Sequence, residues 1–285
     1  MTTSSLKQFS VTRFPSSGPD GNWIEETVGV AAEAPLTIDI EGIDSYTTLC
    51  SPEDKRAMAV GFMFTEGIIQ GIGDIDFLAE CVDFPDIMRV RLSNKAQKNA
   101  GASSGRNLMI ASSCGMCGST DIKEKISALS AVGDTLRIDT ETMHRAMALL
   151  NDTQVLFKKT RGTHAILIFD GAGHAVSFAE DIGRHNALDK AIGKSLLEGK
   201  LIRGCGAVLS GRVSFEMVSK CSRAGIELIL AVSAPTSLAL DAATHCGITV
   251  CAFVRNGGAM VFTHPKRINR TLKNKSAAQH GQRSC

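Results

Sequence analysis

Apolar and polar positions divide the chain into two differently patterned halves. In the first half the apolar positions fall in short β-branched runs. Ile24 to Val30, Leu36 to Ile40 and Ser45 to Leu49 read as strands within a β-rich stretch over residues 7–49, and Glu41-Gly42 makes the turn before the last of them. Ser51-Pro52-Glu53-Asp54 is a helix-start signature, with Ser as N-cap, Pro at the first helical position and an acid at the third. The helix it opens carries Met58 and Phe62 and ends near Gly67. Ile87 to Leu92 alternates apolar and basic residues, the mark of a half-buried strand. Asn94 to Gly105 is polar and rich in Gly and Ser, and reads as a loop.

The second half alternates the two periods. Thr142 to Leu150 is helical, Thr163 to Asp170 strand-like, and Gly171-Ala172-Gly173 turns the chain into Ala175 to Phe178. Leu188, Ile192 and Leu196 repeat every four residues in a helix over 184–198. Strand Cys205 to Ser210, helix Phe215 to Ala224, strand Ile226 to Val232, helix Ser237 to Cys246 and strands Ile248 to Val254 and Ala259 to Thr263 follow. The run 226–232 is continuously apolar, as in a strand buried on both faces. The expected fold class is therefore α/β: an α+β N-terminal subdomain over 1–120, a layered α/β domain over 121–268 and a basic tail over 269–285.

Composition narrows the function classes. With 285 residues, 44% of them hydrophobic, the chain can bury a sizeable core. A net charge of +2 does not ask for nucleic acid as the main partner, and 5% aromatics argue against base-stacking platforms. No apolar run is long enough to span a membrane, and the N-terminus lacks the apolar core of a signal peptide. Cytoplasm is the expected compartment, with the nine cysteines as free thiols or ligands.

Chemistry concentrates first at Ser112-Ser113-Cys114-Gly115-Met116-Cys117-Gly118-Ser119. A thiol at a helix start faces unpaired N–H groups and the positive dipole end, which favours its thiolate. The flanking glycines let a bulky partner approach. A sulfur-carrying site, a dithiol redox site and a metal site all fit this stretch. A structural zinc site needs two further ligands, with His164 or His185 as candidates, and no second CxxC exists. Cys205, Cys221, Cys246 and Cys251 lie in apolar periodic runs and read as buried hydrophobes, as do Cys50 and Cys81.

Three further stretches share a strand-to-helix design suited to anions. Asp181, Arg184, His185 and Asn186 cluster at a helix start, with Asp189 and Lys190 behind them as surface charge. Ser210-Gly211-Arg212 and Ser233-Ala234-Pro235-Thr236-Ser237 each follow a strand and precede a helix. In open α/β sheets such junctions cradle phosphates, and Arg212 adds a bidentate clamp. There is no P-loop and no G-x-G-x-x-G, so a nucleotide site here is a nonstandard one.

From about Ala34 to Ile268 the chain resembles the formate dehydrogenase accessory sulfurtransferase family. The likeness is carried in order by Gly61-Phe62 with Glu66-Gly67-Ile68-Ile69, Cys114-Gly115-Met116-Cys117-Gly118, Gly162-Thr163-His164-Ala165, residues 180–190, Leu209-Ser210-Gly211-Arg212 and residues 231–237. The resemblance implies a sulfur carrier that takes persulfide sulfur from a cysteine desulfurase. It implies delivery to the bis(molybdopterin guanine dinucleotide) molybdenum cofactor before that cofactor enters formate dehydrogenase. It puts the persulfide on Cys114, with Cys117 assisting, and cofactor contacts on Phe253, Val254, Arg255, Asn256, Gly257 and Gly258 beside His164, Asp181, Arg184, His185, Ser210, Gly211, Arg212, Ser233 and Thr236. It further implies a homodimer and a C-terminal domain similar to cytidine deaminases. Deaminase chemistry does not follow, because the H-x-E partner of the zinc signature is missing. Arg161 stands where the family often has Gly, and Gly258 where it commonly has Arg.

Overall fold

The structure is a computed structural model that describes residues 4–14, 23–101, 119–255 and 258–269. In chain order its strands and helices are β1 (Leu6–Arg13), β2 (Ile24–Ala31), β3 (Ala34–Ile40), β4 (Asp44–Cys50), α1 (Lys55–Thr65), β5 (Ile75–Glu80), β6 (Ile87–Leu92), α2 (Asn94–Gly101), α3 (Ser119–Ser127), β7 (Ile138–Asp139), α4 (Thr140–Thr153), α5 (Val155–Thr160), β8 (His164–Phe169), β9 (Ala175–Asp181), α6 (Arg184–Leu197), β10 (Gly206–Leu209), α7 (Phe215–Ala224), β11 (Leu228–Ala231), α8 (Ser237–Cys246), β12 (Thr249–Arg255), β13 (Gly258–Val261) and β14 (Ile268–Asn269). Mixed α and β elements match the expected class. The stretch from Asn94, read as a loop, forms α2 as far as Gly101 instead, its Ala96 buried under the sheet. Strand β5 and helix α5 lie in stretches without a clear period.

The N-terminal sheet has the order β4-β3-β6-β5, with β3 parallel to β6 and its other pairings antiparallel. Its period-2 pattern places Leu36, Ile38, Ile40, Met88, Val90 and Leu92 on one face, where Met58, Ala59 and Met63 of α1 cover them. Helix α1 starts later than its sequence signature. Asp54 holds a left-handed conformation (φ 59°) at the N-cap, and Ser51 and Pro52 stay buried and non-helical before it. Ser51 is used for something else, described below.

The six-stranded sheet has the order β13-β12-β11-β10-β8-β9. Strands β10, β11 and β12 run parallel; β8, β9 and β13 are antiparallel to their neighbours. Alternate residues feed two cores. Ile166, Ile168, Ala207, Leu209, Ile229 and Val250 face α6, α7 and α8, while Leu167, Phe169, Val208, Leu228 and Leu230 face α4. Helices on both faces explain why β11 is apolar at every position.

The two sheets are joined where α1 crosses α6. The helices meet backbone to backbone. A Cβ added at Gly61 would lie 1.8 Å from the Asp189 carbonyl oxygen, and one at Gly193 would lie 1.9 Å from that of Ala57. Phe64 and Leu196 pack against the cores on both sides of this crossing.

Asp189 and Lys190 are not surface charges. Both are buried, and Lys190 Nζ binds Asp181 Oδ2 at 2.6 Å with neither side chain exposed. Ser51 completes this knot. Its N–H donates to Asp181 Oδ2 (2.9 Å), its carbonyl accepts from Lys190 Nζ (2.8 Å), and its hydroxyl accepts from the Ile182 N–H (3.2 Å). Asp189 in turn binds Lys220 Nζ (2.9 Å), which also reaches Glu66 (2.9 Å) and Thr65 (2.8 Å). Charges within one turn of α6 thus tie it to α1 and α7. Local sequence could not show this, since Ser51, Thr65 and Lys220 each lie more than thirty residues from their partner on α6.

Candidate functional site at one edge of the sheet

Topology gathers the anion-binding junctions. The carboxyl ends of β10, β11 and β12 point to one edge of the sheet. Because β8 is antiparallel to β10, and β9 to β8, the start of β8 and the end of β9 reach the same edge. His164 there pairs with Asp181, and Leu209 with Ile166. From β9 to β12 the edge spans four strand spacings, roughly 19 Å. His164, Arg184, Ser210, Gly211, Arg212, Ser233 and Arg255 lie along it, and so does Gly258, the partner of Arg255 in β13.

His164 begins β8, one strand in from the β9 end of this edge. Its ring lies against Gly211, where an added Cβ would come within 3.1 Å of Nδ1, and Arg184 packs beside it. Ser210 Oγ accepts the Ala165 N–H at 2.9 Å and sits 3.5 Å from His164 Nδ1, so Ser210 positions this strand end. Thr163 is held by Glu180, whose carboxylate also caps α5 through the N–H groups of Leu156 and Phe157. Desolvation lowers the His164 pKa, and Arg184, His185 and Arg212 lower it further against the pull of Asp181.

Helix α6 opens on Gly183 without a side-chain cap, and α7 opens on Ser214 in the same way. Both leave first-turn N–H groups and a positive dipole end available to an anion. Arg184 Nε is buried and has no hydrogen-bond partner among the described residues. A buried guanidinium N–H without an acceptor is a costly arrangement, which an anionic ligand would relieve. Arg212 is exposed at the next junction. Thr236, by contrast, caps α8 by accepting the Ala239 N–H (3.3 Å), and Ser233 is half-buried at the end of β11.

Two residues read as contacts turn inward instead. The Asp181 carboxylate is fully buried against Lys190, Ser51, Gly183 and Asn186, so it orients the start of α6 and cannot touch a ligand. Val254 belongs to the core under α4, because a bulge between Ala252 and Arg255 rotates it inward. That bulge holds Phe253 at φ 55°, an unusual conformation for an aromatic residue, and sets its ring 6.3 Å from that of Phe262 at a tilt of 50°. The distortion directly precedes exposed Arg255. Asn256 and Gly257 lie outside the described residues, as do Cys114 and Cys117.

Sequence reasoning missed Glu216. Its carboxylate accepts from His185 Nε2 at 2.8 Å, and this hydrogen bond holds the Glu216 pKa below the usual range despite partial burial. An acid in the first turn of a helix is the only local signal, and nothing local names its partner. Behind the pair lies a cavity of about 120 Å³, walled by Tyr46 and Phe62 and floored by Glu66, Asp189 and Lys220. Among the described residues, no three His, Cys, Asp or Glu side chains are grouped to hold a metal ion, and no helix is long and apolar enough to cross a membrane.

The other thiols behave as core material. Cys50, Cys205, Cys221, Cys246 and Cys251 are buried, while Cys81 is only half-buried. Desolvation pushes Cys221 and Cys251 up to about 12, and Cys50 and Cys205 to about 11. None of these five is a nucleophile at neutral pH.

The chain is similar to known proteins over most of its length. A "Sulfur carrier protein FdhD" from Thermoplasma acidophilum is 38% identical over 267 residues, covering 91% of this chain and 93% of its own. Another, from Bordetella bronchiseptica, is 36% identical over 248 residues, covering 84% and 87%. A crystal structure of a formate dehydrogenase accessory protein from Desulfotalea psychrophila shares the fold, with a TM-score of 0.73 and 23% identity over 93% of this chain and 100% of that one. The model of the FdhD/NarQ family matches residues 31–269, which takes in both sheets and every junction described above, and the chain belongs to that family.

Proposed function

We propose that this protein is a sulfur carrier that accepts sulfur from a cysteine desulfurase and delivers it to the bis(molybdopterin guanine dinucleotide) molybdenum cofactor of formate dehydrogenase. The observation that carries the binding half is the edge of the six-stranded sheet. Two uncapped helix starts, the orphaned Nε of Arg184, and Arg212 and Arg255 are strung along a length that suits a nucleotide diphosphate. The sulfur half is supported by the names of relatives such as the Thermoplasma protein, and by a CxxC outside the described residues.

In the accepting step the Cys114 thiolate attacks the terminal sulfur of the donor's persulfide. A new S–S bond forms on Cys114, and the desulfurase leaves as a thiolate. In the delivering step Cys117 attacks Sγ of Cys114, which closes a disulfide and releases hydrosulfide toward the molybdenum. A cellular dithiol then resets the pair. At the edge, Arg184, Arg212 and Arg255 hold the cofactor's phosphates. His185, fixed by Glu216, and Gly211, thin enough to admit the His164 ring, shape the floor. The C-terminal layer is the deaminase-like half of the family, and the protein works in the cytoplasm as a homodimer.

Mass spectrometry after incubation with a desulfurase and cysteine reads the first step, with one added sulfur at Cys114 as the expected result. Calorimetry with GDP reads the second. Losing the charge-assisted bonds of Arg212 in Arg212→Ala weakens binding by roughly 10–100-fold, from about 1.5–3 kcal/mol. If Cys114→Ala restores formate dehydrogenase activity in cells lacking the wild type, the reading is wrong.

A further inference from the structure

We infer that His164 is the proton-accepting group of the edge site: when a diphosphate binds there, its imidazole gains a proton from solvent and becomes one of the cations that hold the ligand. This rests on the reading of the edge as a polyphosphate site. The position of the ring makes the inference. His164 is the first residue of β8, one strand in from β9, and its ring lies against the bare backbone of Gly211, which the Arg184 side chain also faces. Ser210 Oγ, 3.5 Å from Nδ1, already receives the Ala165 N–H.

The charges facing His164 are lopsided. Arg184 and His185 approach from α6, and Arg212 from the loop after β10. Asp181 at the end of β9 is the sole opposing charge among these causes, and its carboxylate is committed to Lys190 at 2.6 Å. Glu180 on β9 is committed to α5 and Thr163, and Glu216 on α7 to His185. The free site therefore disfavours a second positive charge, and burial adds to that preference. A bound diphosphate reverses the balance, because its negative charges lie among the same cations. Any group whose pKa rises on binding takes up protons, and affinity must then grow as pH falls.

The sign is specific to this arrangement. A terminal phosphate monoester would release a proton on meeting cations, so GDP itself mixes two opposite effects. GDP-mannose, whose diphosphate is a diester with no group titrating near neutrality, isolates the protein's contribution. Calorimetric titrations in buffers of different ionisation enthalpy should show net proton uptake on binding around the ordinary His range, about pH 6.5. The Kd should tighten by up to about tenfold for each pH unit between the free and bound values. In His164→Gln the uptake should vanish while some affinity remains.

NMR of the histidine rings in the wild type gives a check independent of any variant, with the His164 resonance titrating at higher pH in the complex than in the free protein. Binding of GDP-mannose without proton uptake, or uptake that survives His164→Gln and disappears in His185→Gln, would overturn the inference and leave the function reading intact. A failure of both GDP and GDP-mannose to bind at any pH would overturn the function reading and this inference with it.

Discussion

Lys190→Met tests the buried knot beneath the site. The substitution keeps most of the side-chain volume and removes one charge. What remains is the Asp181 carboxylate, fully buried, still accepting N–H groups from Ser51, Gly183 and Asn186 but deprived of its counter-ion at 2.6 Å. The Ser51 carbonyl also loses its donor. Removing one member of a buried pair costs about 3–5 kcal/mol, because the other charge is stranded away from water. At roughly 2 °C per kcal/mol for a chain of this length, the melting temperature should fall by about 6–10 °C. Circular dichroism melts at neutral pH read this directly. The physical cause is tested by adding Asp181→Asn, which removes the stranded charge and keeps a carbonyl for Gly183. The double variant should be more stable than Lys190→Met alone, a coupling that independent sites do not show. A shift under about 2 °C in the single variant, or a double variant that simply sums two losses, would refute the reasoning.

The helix crossing offers a second test. In Gly193→Ala the helix gains up to ~1 kcal/mol of intrinsic preference, yet the new Cβ meets the Ala57 carbonyl at 1.9 Å and must push the backbones apart. Overpacking of about 1–3 kcal/mol wins, so urea unfolding should show a net loss, and a more stable variant would contradict it. Glu227 carries a pH dependence. Burial pushes its pKa up, but the N–H groups of Leu136 and Thr135, the Thr135 hydroxyl and Arg267 prevail and hold it low. Its stabilisation is therefore complete above the unfolded carboxylate value of about 4.3 and lost as pH falls through the lower folded value. Glu227→Gln should cost about 1.5–3 kcal/mol near neutrality in melts across pH, with the gap to wild type closing below about pH 4. Brief alkylation at about pH 8 followed by peptide mass mapping should label Cys114 and leave Cys50, Cys205, Cys221 and Cys251 untouched; rapid loss of Cys221 would contradict its burial.

Much of the layered half was legible because its signals are local. Continuous apolar runs marked the strands covered on both faces, and four-residue repeats marked α6. The helix α2 was not, since Asn94, Lys95, Gln97 and Lys98 around a buried Ala96 resemble a loop until a sheet lies beneath them. The Ser51-Pro52 helix start misled for a related reason. Its capping chemistry is sound in isolation, but Ser51 finds better partners in Asp181, Ile182 and Lys190, all about 130 residues away.

By itself the sequence determined the alternation of strands and helices, the buried character of most of the cysteines, and the family motifs that name a strand-edge anion site and a CxxC. These follow from periodicity, residue type and order, which the chain carries at every position. Only the tertiary structure decided which charges serve the site and which serve the fold. Asp189 and Lys190 look like companions of Arg184 and His185 along one helix, yet a helix sends neighbouring residues to different faces, and Asp181 ends the strand before it. Burial against Ser51, Thr65 and Lys220 makes Asp181, Asp189 and Lys190 a structural knot, while Arg212 and Arg255 stand exposed and Arg184 and His164 half-buried along the edge of the sheet.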